Sequence, residues 1–265
     1  MIDLHSHILP ALDDGAADME VSLEMARAAV ADGVSTMVAT PHVDDRYGLD
    51  PPDIGEHVGH LNLALARAGI ALGVLPGAEV AHTRAAALSP ASLLTACLGD
   101  SKALLVESPY TSVSFFDDLL FDLQVRGFRP VLAHPERCLM FQRDPDRLAA
   151  LVDRGIYCTV NAGSLSGGFG RKVRQAAVVM LARGLVHSIA SDSHDTERRP
   201  PGLSTALDGL EGEIPGITAQ AAWLTNDVPA ALLADKPLPP RPPLPVKPAS
   251  RWGRLRRGRG APTRG

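Results

Sequence analysis

The sequence contains little cysteine, and this scarcity excludes several kinds of protein. Three cysteines occur among 265 residues, at irregular spacing and without a Cys-x-x-Cys pair. Neither a disulfide framework nor a thiolate zinc site is therefore expected, and a reducing cytoplasm is the predicted location. Cysteine-dependent tyrosine phosphatases carry an arginine six residues after the nucleophile, but Cys97, Cys138 and Cys158 are followed at that spacing by Ala103, Asp144 and Ser164. Any removal of phosphate must then proceed without a thiolate.

Long apolar runs, aromatic side chains and, in most of the chain, basic residues are also scarce. No run of about eighteen apolar residues occurs, so no membrane-spanning helix is expected. Aromatic residues make up 4% of the chain against 45% hydrophobic and 21% charged residues, the balance of a globular protein with a packed core. Nine of the 26 Lys/Arg residues, and none of the 30 Asp/Glu residues, lie from Lys236 onward. The acidic body before that point disfavours nucleic-acid binding.

Short β-branched segments alternate with amphipathic ones along the chain. Strands are predicted at 1–5, 35–40, 71–76, 102–107, 129–134, 156–161 and 187–191, and helices at 18–31, 52–68, 91–97, 114–126, 144–154 and 171–183. Asp18 is the predicted N-cap of the first helix, and the predicted C-caps are Gly33, Gly127, Gly155 and Gly184. Repeated strand–helix units of this length predict an α/β fold with a parallel sheet, closed into a distorted (β/α)7 TIM-like barrel.

The chain divides into a body and a tail. Residues 1–235 carry the strand–helix pattern, whereas 236–265 are Pro-rich and then Arg/Gly-rich. Such a composition cannot bury a core, so we predict a disordered basic tail. Contact with an anionic membrane surface is one interpretation of this tail, and a plain extension is another.

Histidines and carboxylates follow the predicted strands and could bind metal ions. Two imidazoles two positions apart, His5 and His7, share a face at the first strand end. Alone this pair fits two surface histidines equally well, and Asp13-Asp14-Gly15, taken alone, is better explained as a turn. The recurrence of such groups at strand ends, where parallel barrels build their active sites, favours a metal centre. The nine potential ligands are His5, His7, Asp14, His42, Glu79, Glu107, His134, Asp192 and His194. This number suits two or three metal ions that share a carboxylate.

These motifs together resemble a known family. The segments MIDLHSHILPALDDGA, EMARAAVADGVSTMVATPH, LPGAE, FDLQVRGFRPVLAHPER, GSLSGGFGRK and VHSIASDSH resemble the PHP (polymerase and histidinol phosphatase) superfamily, and within it the bacterial protein-tyrosine phosphatases of capsule and exopolysaccharide operons. The resemblance runs from Met1 to roughly Asp235. The family often has a second histidine after the Thr-Pro-His motif, where Val43 stands here.

The resemblance implies a metal centre and a phosphate site. One metal ion would take His5, His7, Glu79 and Asp192; a second would share Glu79 and take Glu107 and His134; a third would take Asp14, His42 and His194. Manganese is the family's usual metal, although zinc or iron suits the same ligands. The phosphate oxygens would be bound by Arg137 and Arg199, while His57, His60, His82 and His187 match no ligand position.

The implied activity is hydrolysis of phosphotyrosine on a protein by a metal-activated hydroxide. The implied partner is a tyrosine kinase that regulates polysaccharide export, and no oligomeric state is predicted. The alternatives are a PHP phosphatase acting on histidinol phosphate or a similar small ester, a DNA-end exonuclease, and a non-catalytic regulator that binds phosphotyrosine. The acidic body argues against the exonuclease, and the complete ligand set argues against the non-catalytic regulator.

Overall fold

A computed structural model describes residues 1–244. Nine strands are present in this range: β1 Ile2–Ser6, β2 Thr36–Ala39, β3 His42–Val43, β4 Gly73–Pro76, β5 Glu79–Val80, β6 Ala103–Glu107, β7 Arg129–Ala133, β8 Tyr157–Asn161 and β9 Ser188–Ala190. The α-helices of the same range are α1 Met19–Ala31, α2 Ile54–Arg67, α3 His82–Ala87, α4 Pro90–Ala96, α5 Phe116–Val125, α6 Leu139–Arg143, α7 Pro145–Asp153, α8 Ala162–Ser166, α9 Arg171–Ala182 and α10 Val228–Leu233. Among residues 1–244, none of the helices combines the length and the apolar character that a membrane crossing requires.

All strand pairings of the described residues are parallel, as predicted, but they form two sheets. The first has the order β1-β2-β4 and the second the order β3-β5-β6-β7-β8-β9. The sheets are separated where Thr40-Pro41 divides β2 from β3 and Gly77-Ala78 divides β4 from β5. Proline has no amide hydrogen for a strand ladder, which explains the first interruption. The α/β fold with parallel sheets is thus confirmed, whereas residues 1–244 form two sheets of three and six strands, and the seven-stranded barrel stays a prediction.

One contact joins the first strand to the end of the last. Ser6 forms an isolated parallel bridge with Ser193. The His7 amide donates to the Ser193 carbonyl at 2.8 Å, and the Asp192 amide donates to the His5 carbonyl at 2.9 Å. These bonds bring the two ends of the strand series together, so residues far apart in sequence meet at one rim.

The predicted elements agree with the structure within a few residues at each end. The Asp18 side chain accepts a hydrogen bond from the Val21 amide at 3.0 Å and caps α1 as expected. Helices α3, α6, α8 and α10 were not predicted because five or six residues are too short to display an apolar period. The four predicted C-cap glycines all have a left-handed backbone, with φ of +93°, +89°, +87° and +74° at Gly33, Gly127, Gly155 and Gly184.

The core lies between the sheets and the helices around them. The central strand β6 is buried from Ala103 to Val106, and α1 buries Ser22, Met25, Ala26 and Ala29, the spacing of one helix face. This rigid frame holds the strand ends from which the polar side chains project.

The first part of the predicted tail packs on the body. The Trp223 indole donates to the Pro239 carbonyl at 3.0 Å, and the Gln220 amide donates to the Pro242 carbonyl at 2.6 Å. The Arg241 guanidinium lies 4.2 Å from the centre of the Trp223 ring. Residues 236–244 therefore contact the folded domain, and the remainder of the predicted tail, 245–265, lies outside the described residues.

Candidate metal centre

Strand β1 delivers the first histidines to the rim. Its alternation puts Asp3 and His5 on one face, and His7 follows in the same register. The buried Asp3 carboxylate accepts hydrogen bonds from the His5 amide at 3.3 Å and the Ser191 amide at 3.0 Å, which fixes the end of β1 against the chain after β9. Burial raises the pKa of Asp3 to about 6.

Glu79 stands at the centre of the histidine cluster. Its Oε1 atom is 2.7 Å from His134 Nε2, and its Oε2 atom is 3.1 Å from His42 Nδ1, 3.3 Å from His5 Nε2 and 3.5 Å from His7 Nε2. Burial opposes ionisation of this carboxyl, but the charges of His5 and His134 and the hydrogen bond with His134 hold its pKa well below its usual range. An ionised carboxylate surrounded by imidazoles can bridge two cations.

Asp192 presents its two oxygens to different groups. The Oδ1 atom faces the histidines, 3.4 Å from His7 Nε2 and 3.5 Å from His5 Nε2. The Oδ2 atom accepts from Arg199 and from Asn161, each at 2.5 Å, and lies 3.3 Å from the Arg137 guanidinium. One oxygen of Asp192 is therefore available to a cation, while the other is held by three donors.

A third group of ligands lies at the mouth of the cluster. Asp14 Oδ1 is 3.4 Å from His42 Nε2 and 3.4 Å from His194 Nε2. The nearby His194 ring lowers the pKa of Asp14, and burial lowers the pKa of both histidines, so the neutral imidazoles offer free electron pairs. Asp14 is the exposed member of this group, with 42% of its side chain accessible.

Two of the site residues have an unusual backbone. His134 follows β7 with φ of +35°, and Asp192 follows β9 with φ of +51°. Left-handed backbone is uncommon for residues other than glycine and is found at functional sites where the surrounding structure enforces it. In this conformation the His134 ring contacts Glu79, and the Asp192 carboxylate faces His5 and His7.

The donor set fits metal ions. Four groups each offer ligand atoms within 4.8 Å of one another: His7/Asp14/His42/His194, His5/His134/Asp192, His5/His7/Glu79 and Glu79/Glu107/His134. Buried polar atoms without a hydrogen-bond partner include Glu79 Oε2 and His194 Nε2, the kind of atom that a bound cation would satisfy. Burial and the charge of Glu79 raise the pKa of Glu107 to about 7, and a cation would remove that proton.

The structure brings all nine predicted ligands into one cluster. Two of the expected groupings are present as such, namely Glu79 with Glu107 and His134, and Asp14 with His42 and His194. The third expected group is divided, because Asp192 combines with His5 and His134, whereas His7 also reaches the Asp14 group. Which ligand serves which ion stays a prediction.

Asp13 supports the site and was not predicted to do so. Its Oδ2 atom is 2.6 Å from His7 Nδ1 and accepts from the His42 amide at 2.9 Å, while its Oδ1 atom accepts from the Gly15 amide at 2.9 Å. Gly15 is required here, because a Cβ atom would lie 2.1 Å from the His7 carbonyl oxygen. The adjacent pair Asp13-Asp14 was the signal available in the sequence. We chose Asp14 as the metal ligand and explained Asp13 as part of a turn.

The two predicted arginines line the open side of the cluster. A cavity of about 520 Å³ is bounded by Arg137, Arg199, six of the nine metal-ligand candidates and two tyrosines, Tyr47 and Tyr110. Arg137 donates to the Tyr110 hydroxyl at 2.6 Å. Two further residues that the sequence did not predict, Glu136 and Phe169, lie near these arginines. Glu136 accepts from Ser164, and the Phe169 ring lies beside both guanidinium groups.

The remaining histidines do not join the cluster. His82 lines the same cavity of about 520 Å³ and lies beside Phe115. The Nδ1 atom of His187 accepts from the Cys158 amide of β8 at 3.1 Å. His57 and His60 lie on helix α2. None of the four belongs to a ligand group among the described residues.

Comparison with known proteins places this architecture in a family. The model of the capsular polysaccharide synthesis family CpsB/CapC matches residues 1–231. Tyrosine-protein phosphatase YwqE of Bacillus subtilis is 36% identical over 249 residues, covering 93% of this chain and 97% of its own length. Tyrosine-protein phosphatase CpsB of Streptococcus pneumoniae is 31% identical over 235 residues, covering 85% and 96%.

Solved structures agree with this relationship. A chain from the crystal structures of YwqE from B. subtilis and CpsB from S. pneumoniae, described as unique metal-dependent tyrosine phosphatases, matches with a TM-score of 0.80 and 36% identity over 94% of this chain and all of that one. The phosphotriesterase homology protein of Escherichia coli, at 10% identity and a TM-score of 0.59, shares the fold alone. The chain belongs to the CpsB/CapC family of capsular polysaccharide synthesis proteins.

Proposed function

We propose that this protein is a metal-dependent protein-tyrosine phosphatase. The observation that carries the proposal is the convergence of the nine ligand candidates in one cluster, beside an open cavity that both arginines line. Metal ions and guanidinium groups together are what hydrolysis of a phosphate ester requires. The names of the relatives YwqE and CpsB, at 36% and 31% identity, support the same activity.

The proposed cofactor is two or three manganese ions, with zinc or iron as substitutes. Glu79 would bridge two of them, because its two oxygens face different histidines. The ions would supply Lewis-acid chemistry and a hydroxide nucleophile at neutral pH. We also propose that the two parallel sheets act as one distorted seven-stranded barrel of the PHP type. In this count β2 with β3, and β4 with β5, are each one interrupted strand, and the Ser6–Ser193 bridge joins the ends of the series.

The protein's own residues would bind and orient the phosphate group. Arg137 and Arg199 both contact Asp192 Oδ2, whereas Oδ1 of the same carboxylate faces His5 and His7. Guanidinium groups can hold two phosphate oxygens at once. Their contact with Asp192 Oδ2 fixes both side chains before substrate binds, which lowers the cost of ordering them. The leaving group of phosphotyrosine is a phenolate with a pKa of about 10, so it needs less help from a general acid than an alkyl alkoxide does.

The proposed substrate is a phosphotyrosine in an extended protein segment. The cavity opens to the surface between Tyr47 and Tyr110, both partly exposed, so it can admit a side chain that projects from a polypeptide. The proposed partner is a tyrosine kinase of polysaccharide export, in line with the capsule-synthesis family. We place this protein and the kinase in the cytoplasm, because the three cysteines of this chain are unpaired. Contact of the basic segment 245–265 with a membrane surface stays a prediction from the sequence.

A substrate comparison tests this function. Purified protein is stripped with a chelator, its activity is measured, and Mn²⁺, Zn²⁺ or Fe²⁺ is then added while the bound metal is counted. Each form is assayed on a phosphotyrosine peptide, the matching phosphoserine peptide and histidinol phosphate. We expect no turnover without metal, recovery with Mn²⁺, and a preference for phosphotyrosine. Activity that persists after complete metal removal, or a preference for histidinol phosphate, would overturn the proposal.

A further inference from the structure

Phe169 lies between the two arginines that line the catalytic cavity. The centre of its ring is 4.6 Å from Cζ of Arg137 and 5.6 Å from Cζ of Arg199. Both distances are within the range of a cation–π contact. These arginines come from separate parts of the chain, and the ring is a shared surface for both guanidinium groups.

The Phe169 ring does not belong to the lining of the 520 Å³ cavity that the arginines border. Arg137 and Arg199 line the catalytic cavity, whereas Phe169 borders a neighbouring cavity of about 390 Å³ together with Gly163 and Arg199. The ring therefore forms part of the wall behind the arginines. A side chain in this position acts on phosphate only through the groups that it holds.

The segment that carries Phe169 is built to hold the ring in place. Gly167 and Gly170 on either side have φ of +93° and +90°, and the Gly168 amide donates to the Gly163 carbonyl at 2.8 Å. The ring lies directly on Gly163, where an added Cβ atom would be 3.2 Å from Cε2 of Phe169. Only glycine at these positions combines such a turn with so close an approach.

A buried carboxyl joins this segment to the turn that carries Arg137. Glu136 is fully buried, and its Oε1 atom accepts from the Ser164 hydroxyl at 2.6 Å and from the Asn161 amide at 3.0 Å. Ser164 belongs to α8, immediately before the Phe169 loop, and Glu136 precedes Arg137. The ring and the guanidinium are thus fixed to one small framework.

We propose that Phe169 is a positioning residue that holds the guanidinium groups of Arg137 and Arg199 in the arrangement that binds phosphate. The proposal rests on the proposed function, because it assigns both arginines to the phosphate group. An aromatic face attracts each cation without occupying any N–H donor, so the donors that Asp192 Oδ2 and the Tyr110 hydroxyl do not take stay free for phosphate oxygens. A carboxylate in the same place would take those donors and repel the substrate.

Substitution of the ring tests this proposal. Phe169→Leu keeps an apolar side chain but removes the aromatic face. We expect kcat/KM for a phosphotyrosine peptide to fall about tenfold, the scale of two weakened cation–π contacts, and the inhibition constant of inorganic phosphate to rise by a similar factor. Metal content should not change. Phe169→Tyr retains the face and should recover most of the loss.

The matched control is Phe121→Leu. Phe121 is an exposed residue of α5 that has the same type of contact, with Cζ of Arg154 5.3 Å from the ring centre. This variant should match the wild type in kcat/KM and in phosphate inhibition. If Phe169→Leu does not fold, Gly163→Ala serves in its place, because the added methyl would push the ring by a few tenths of an ångström. This variant should change kcat/KM and phosphate inhibition in the same direction, by a smaller factor.

A mutant cycle separates positioning from a purely structural role. In a background that carries Arg137→Ala and Arg199→Ala, Phe169→Leu should change the residual kcat/KM by less than about twofold, since its effect passes through the arginines. A tenfold loss in that background, or no loss in the wild-type background, would refute the proposal. A wild-type protein that binds inorganic phosphate but hydrolyses no phosphotyrosine would contradict the proposed function, and the effect of Phe169→Leu on phosphate binding by calorimetry would still decide the role of the ring.

Discussion

Replacement of Arg199 by alanine should remove phosphate binding while leaving the metal centre intact. Arg199 pairs with Asp192 Oδ2 at 2.5 Å, so its loss deprives that oxygen of one donor. Asn161 at 2.5 Å and Arg137 at 3.3 Å still contact the same atom, and Asp192 Oδ1 still faces His5 and His7. The metal content and the thermal stability of Arg199→Ala should therefore stay near those of the wild type.

The magnitude follows from the bonds that the guanidinium can form. A hydrogen bond to a charged group contributes about 1.5–3 kcal/mol, and a guanidinium fork can form two of them to phosphate. Since 25% of the Arg199 side chain is exposed, solvent screens part of this energy. A loss of about 3–4 kcal/mol corresponds to a decrease of roughly 10²–10³ in kcat/KM, the scale measured when oxyanion donors are removed. Arg199→Lys should recover only part of it, because a point charge does not reproduce the fork.

The neighbouring arginine provides the control. Arg198 is exposed, and its backbone amide, like that of Arg199, donates to Asp195 Oδ1, so alanine at either position preserves the turn. The assay compares kcat/KM for a phosphotyrosine peptide, bound metal and melting temperature in Arg198→Ala, Arg199→Ala and the wild type. Equal losses at both positions, or a collapse of metal content in Arg199→Ala, would show that Arg199 is not the phosphate arginine.

The fold was predictable where the pattern is local. Short β-branched runs indicate buried parallel strands. The sequence predicted strand β6, Ala103–Glu107, within one residue of its limits because this strand is buried on both faces. The separation into two sheets could not be foreseen, since it depends on how Thr40-Pro41 and Gly77-Ala78 interrupt hydrogen bonding between distant segments. Packing of 236–244 was missed for a similar reason: a proline-rich composition does not reveal that its carbonyls accept from Trp223 and Gln220.

The candidate ligands were predictable because their chemistry is visible in their residue type and their position at strand ends. Residues that act through a neighbour carry no such signal. Asp13 is identified only by its 2.6 Å contact with His7. Asn161, the last residue of β8, is identified only by its contact with Asp192, which follows β9. Phe169 belonged to a recognised motif, yet a phenylalanine in a glycine-rich loop has no predictable role until the two guanidinium groups are seen beside it.

Three further predictions concern the support of the site and the stability of the fold. Asp13→Asn should lower metal affinity about 10- to 100-fold in a metal titration, because the carboxylate no longer orients His7; unchanged affinity would contradict this role. Replacement of all three buried cysteines by alanine should leave kcat within about twofold in the folded enzyme, because burial raises their pKa and phosphate transfer to a thiolate is not involved; a large loss in the folded variant would refute the metal mechanism. His187 should make the protein less stable in acid. Burial lowers its pKa from 6.5 to about 4, so the folded state holds the neutral ring, whose Nδ1 atom accepts from the Cys158 amide. A depressed pKa gives stability that is fully present above pH 6.5 and is lost as the pH falls toward 4, about 2 kcal/mol at pH 5. Urea unfolding of the chelator-treated protein should therefore show a steeper loss between pH 7 and pH 5 in the wild type than in His187→Asn, and parallel losses in the two proteins would exclude His187 as the cause.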